Sequence, residues 1–107
     1  MRAYTPVLMV AALKDGAADV ITAYSSDGAL AGADVVLFTD DRGALPAYDA
    51  LLLVAPGRDD LGRQLARYEG RIRVEAMRVA NAQADRATNK RSPAEAARWL
   101  ARETGLQ

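Results

Sequence analysis

Three apolar runs divide the first half of the chain: Val20-Ile21-Thr22-Ala23-Tyr24, Val35-Val36-Leu37-Phe38 and Leu51-Leu52-Leu53-Val54. Each ends in turn-forming residues, Ser25-Ser26-Asp27-Gly28, Asp40-Asp41-Arg42-Gly43 and Pro56-Gly57 respectively. Short apolar stretches bounded this way predict strands, and their near-continuous rather than alternating hydrophobicity predicts a sheet covered on both faces. Ahead of them, Thr5-Pro6 supplies a helix start and Gly16 a stop, so a helix is expected over about Pro6 to Asp15. Behind them the period becomes helical. Asp59 or Asp60 is expected to cap a segment whose Leu61, Leu65 and Tyr68 share a face, ending at Gly70. Val74, Met77, Ala80 and Asn81 mark a second helix, and Asp85 to Arg91 is a polar connection. Ser92-Pro93-Ala94-Glu95 reads as a capping box opening a last helix that runs to Gly105. The order helix, three strands, three helices predicts an α/β layered fold without internal repeats.

The 107 residues suit one ordinary domain. Met1 to Asp15 reads as an amphipathic helix interrupted by Lys14, so neither a signal peptide nor a membrane span is expected in this stretch. Cysteine and histidine are both absent. Disulfides, thiol nucleophiles, imidazole bases and the usual zinc ligands go with them, which weakens enzymatic readings; no cofactor is expected. Formal net charge is zero, but residues 1–60 hold nine acids against four bases and the remainder ten bases against five acids. The acidic first half suits a cationic ligand. In the basic half, Glu69, Glu75, Asp85, Glu95 and Glu103 interrupt the arginines, which favours a solvated helical surface over nucleic acid. The Arg63, Arg67, Arg71 row invites a phosphate-binding or docking reading, with an exposed helix surface as the more economical one.

Two segments carry the most specific text: Ala23-Tyr24-Ser25-Ser26-Asp27-Gly28, and Asp40-Asp41-Arg42-Gly43-Ala44-Leu45-Pro46-Ala47-Tyr48-Asp49-Ala50. Their wording and separation resemble the glycine betaine/choline-type substrate-binding proteins of ABC importers, in which an "AYSTDG" segment is followed by a strand and a "DDK…FPPYxA" segment. The likeness continues through Arg71-Ile72-Arg73-Val74-Glu75-Ala76-Met77, Asn81 and Ser92-Pro93-Ala94-Glu95-Ala96-Ala97-Arg98-Trp99-Leu100. In that family the two tyrosines belong to an aromatic cage around a quaternary ammonium ion. The resemblance therefore implies ligand-binding roles for Tyr24 and Tyr48, with Ser26 and Asp27 supporting. On spacing alone, a tyrosine at a strand end is a half-buried packing residue. Asp27 is better read as a cap that fixes the approach of Tyr24 than as a ligand contact. Ser26 replaces the usual threonine and Ala47 a frequent proline, which bears on how rigidly Tyr48 is presented. Tyr68 and Trp99 read as helix packing residues, and Asp40-Asp41 as a hinge rather than a metal site.

What the resemblance implies for fold is a type II periplasmic-binding-protein architecture. Because such proteins have two lobes, the chain is expected to represent the C-terminal portion: about 1–38 from the second lobe, 39–45 the interlobe crossing, and 46–107 from the first lobe. For function it implies capture of an osmoprotectant such as glycine betaine, choline or carnitine outside the cytoplasm, without reaction, and delivery to permease and ATPase subunits. An export signal would then lie on a longer precursor or a fused permease. The alternative is a small self-associating structural or regulatory domain that has lost its ligand. Strands shared with absent neighbours predict a homo-oligomer or a complementary N-terminal half.

Overall fold

The structure, a computed structural model, describes residues 6–106; the expected Thr5 N-cap lies outside them. Among these residues four α-helices form: α1 (Pro6–Lys14), α2 (Asp59–Leu65), α3 (Val74–Asp85) and α4 (Pro93–Glu103). Short 3₁₀ turns occupy Gly28–Leu30 and Ala66–Tyr68, the second continuing α2 toward Gly70.

The helix ends follow the local sequence closely. At the start of α4 the Ser92 hydroxyl accepts from the Glu95 amide (3.3 Å), while the Ser92 amide donates to Glu95 Oε2 (2.8 Å), with Pro93 in the first turn. This reciprocal pairing satisfies amides that a helix N-terminus leaves without partners. Both α1 and α4 close on a glycine in the left-handed region, Gly16 (φ 69°) and Gly105 (φ 68°). The following residues return their amides five residues back, Ala17 to the Ala12 carbonyl and Leu106 to that of Ala101, both at 2.8 Å. In α2 the expectation is corrected by one residue. Arg58 takes the N-cap position without a side-chain cap, and Asp59 and Asp60 lie in the first turn, where their charge favours the positive helix end.

Packing centres on α3, which lies against α4 and against the Gly28–Leu30 turn. Among the described residues the buried ones are few: Ala80 and Gln83 of α3, Ala96 and Leu100 of α4, Gly28 and Leu30 of the 3₁₀ turn, and Ala12 of α1. Gln83 is the buried polar group, and its Oε1 accepts from Arg91 Nη1 at 2.7 Å while its carbonyl accepts the Arg91 amide at 2.9 Å. These bonds tie the 86–91 connection back to α3.

The three expected strands do not form. Among the described residues no ladder exists, and 20–24, 35–38 and 51–54 are irregular segments. Their side chains are largely solvent-exposed, as at Phe38 (83%) and Leu53 (91%). The α/β layering expected from those runs is thus absent here. The physical reason is that a strand is completed by its neighbour: composition prepares each run for a sheet, but no other segment lies beside it to exchange backbone hydrogen bonds.

Candidate functional site

The segment after Tyr24 is a tight turn closed from both ends. The Asp27 amide donates to the Tyr24 carbonyl (2.9 Å), and the Tyr24 amide donates to Asp27 Oδ2 (3.0 Å). The Asp27 carboxylate thus caps the turn that presents Tyr24. The turn is seated on α3. Arg78 Nε donates to the Ser25 carbonyl at 2.8 Å, and Asn81 Nδ2 donates to the Ser26 carbonyl at 2.9 Å. Gly28 is buried against the same helix so closely that a Cβ there would stand 2.5 Å from the Ala82 amide nitrogen. Only glycine fits that approach.

The second segment is shaped by Asp40. Its carboxylate accepts the Leu45 amide (2.8 Å) and the Ala44 amide (3.0 Å), folding the loop back before Pro46. These two bonds, that from Leu45 foremost, hold the Asp40 carboxyl below the ordinary carboxylate range. With its oxygens committed to the loop, Asp40 has a structural use. Among the described residues no cluster of three or more metal-ligating side chains occurs.

These two loops bring Tyr24 and Tyr48 together. Their ring centroids are 5.7 Å apart and their planes inclined at 61°, an edge-to-face pair. Tyr24 is 58% exposed and Tyr48 75% exposed, so the rings form an open corner rather than a buried stack. An aromatic face attracts a cation that has no hydrogens to donate, and two inclined rings let one such group meet both π-systems. Of the other expected site residues, Asp27 holds the turn, and Ser26 takes part through its backbone carbonyl on Asn81.

The remaining aromatic residues are placed otherwise. The Arg67 guanidinium lies 4.8 Å from the Tyr68 ring centroid, and its Nη2 donates to the Tyr68 hydroxyl. That ring already faces a cation. Trp99 is half-buried on α4. Arg63, Arg67 and Arg71 are exposed but do not share a helix face, because α2 ends at Leu65 and Arg71 follows Gly70. An apolar concavity of about 300 Å³ lies between Ala50–Val54 and Leu65–Glu69, and neither Tyr24 nor Tyr48 lines it.

Comparison with known families decides the affiliation. The family model described as the substrate binding domain of ABC-type glycine betaine transport systems matches residues 1–102. The chain belongs to this family. No curated protein and no solved structure matches it. Glycine betaine-type substrate-binding domains are type II periplasmic binding proteins and transport components rather than enzymes, and they work outside the cytoplasm. Among the described residues no helix is long and apolar enough to cross a membrane. Arg78 and the close approach of Gly28 are the site features that sequence reasoning missed. Asn81 entered it as a marker of the second helix and as part of the family likeness, without a role at the site.

Proposed function

We propose that this chain serves an ABC importer as a receptor for quaternary-ammonium osmoprotectants such as glycine betaine or choline, with Tyr24 and Tyr48 as two walls of the ligand cage. The observation that carries this reading is the ring pair itself: two tyrosines 24 residues apart meet at 5.7 Å, each with most of its surface open. Asp27 acts as the cap of the Tyr24 turn and Ser26 as part of its backbone. Residues 39–45 serve as the crossing between two lobes, and the runs 20–24, 35–38 and 51–54 act as sheet strands once neighbours complete them. Permease and ATPase subunits are the partners that the import role requires.

Two rings give weak binding. A cation–π contact contributes about 0.5 to 2 kcal/mol, whereas a millimolar complex needs roughly 4 kcal/mol. Titration of the chain with choline and glycine betaine by NMR is expected to move the Tyr24 and Tyr48 ring signals at millimolar or higher ligand, and Tyr24→Ala or Tyr48→Ala to abolish the response. Submicromolar affinity unchanged by both substitutions would sink the assignment.

A second reading, a self-associating domain that no longer binds ligand, is favoured by one observation. Val36, Phe38, Leu51 and Leu53 are all more than three-quarters exposed. Such apolar surface marks a site of association. The two readings part at the same titration, because a domain of the second kind leaves the tyrosine signals unmoved.

A further inference from the structure

Tyr24 has no sheet to hold it. Residues 20–23 pair with nothing among the described residues, and the ring itself is exposed, so its position is set by the turn that follows. That turn is gripped by α3. Positions 78, 81 and 82 recur at helical spacing on α3, and each meets a different unit of the turn: Arg78 the Ser25 carbonyl, Asn81 the Ser26 carbonyl, and the Ala82 backbone the Gly28 Cα. The Asp27 carboxylate then passes the constraint to Tyr24 through its amide. Among the described residues, the Arg78 and Asn81 bonds are the only side-chain hydrogen bonds that join segments more than eight residues apart. Arg78 forms no ion pair there either, so its guanidinium is committed to a neutral carbonyl.

We infer that Arg78 and Asn81 are positioning residues of the tyrosine corner, holding the Tyr24 ring at the distance from Tyr48 at which one trimethylammonium group meets both. Neither touches the ligand. The inference rests on the proposed quaternary-ammonium site for its functional meaning, but its geometric content stands apart from ligand binding. A helix that carries two donors aimed at consecutive carbonyls fixes both the location and the tilt of the turn, whereas one bond would leave it free to pivot.

The test reads the ring contact and the affinity separately in the full chain. The ligand-free protein is expected to show an NMR cross-peak between the Tyr24 and Tyr48 rings. Asn81→Asp, which keeps the shape but replaces the donor with an acceptor, and Arg78→Met, which keeps the stem but removes the donor, are expected to lose that cross-peak at unchanged helical circular dichroism. Each is also expected to weaken choline binding about tenfold. Arg78→Lys, which restores a donor, is expected to restore both. Persistence of the cross-peak in helical Asn81→Asp and Arg78→Met protein overturns the inference. So does loss of the cross-peak in Arg78→Lys to the same extent as in Arg78→Met. If the wild-type chain shows the ring contact but ignores choline, the transport reading fails, while the cross-peak still decides whether these residues position the corner.

Discussion

Gly28 concentrates in one position what the site demands of the backbone. A methyl group there would enter the backbone of α3, 2.5 Å from the Ala82 nitrogen and 2.7 Å from the Asn81 carbonyl carbon. Because a helix backbone does not yield as a flexible side chain does, Gly28→Ala is expected to cost about 1 to 3 kcal/mol and to lift the Tyr24 turn off α3. Urea unfolding followed by circular dichroism measures the first effect and the Asn81 side-chain amide signals the second. The same residue shows what a sequence does and does not disclose about a site. Tyr24, Asp27, Gly28 and Tyr48 stand out because their neighbours form a specific text. Arg78 lies 53 residues from the carbonyl it meets, and nothing in its immediate neighbours announces that contact.

At the scale of elements, legibility follows the range of the interactions. The start of α4 lies within four residues, and its capping box forms as Ser92 and Glu95 imply. Ser92→Ala is expected to destabilise the helix by about 1 kcal/mol. Glu95 adds a pH dependence. The Ser92 hydroxyl first, and its amide second, hold the Glu95 carboxyl below its ordinary value of 4.5. A carboxylate with a depressed folded pKa stabilises the helix fully above 4.5 and loses that contribution as pH falls below 4.5 through the folded value. Circular dichroism between pH 6 and 3 is therefore expected to show α4 fraying in the acid arm, with a smaller change in Glu95→Gln. Strands are read less well for the complementary reason. Val35 to Phe38 has every local property of a strand, yet a ladder belongs to two segments, and the second is not specified by the first.

The whole molecule is more open than its mass warrants. It exposes 8977 Å², against roughly 5,800 Å² for a folded protein of 11.4 kDa. Its radius of gyration is 16.7 Å, against about 13 Å for a compact chain of this length. The three apolar runs, with Val36, Phe38, Leu51 and Leu53 more than three-quarters exposed, offer the kind of surface that an interface between chains buries. Analytical ultracentrifugation at micromolar concentration is expected to find dimers or larger species, or a stable complex once a chain supplying the complementary half is added. A compact monomer would mean that the runs close on themselves. Function at this scale reduces to whether the open corner recognises charge rather than shape. The most direct test is to titrate the chain by NMR with choline and with its uncharged isostere 3,3-dimethylbutan-1-ol, which has a carbon in place of the nitrogen. A cation–π corner at Tyr24 and Tyr48 predicts ring-signal shifts with choline and little or none with the isostere; equal responses to both, or none to choline, would contradict it.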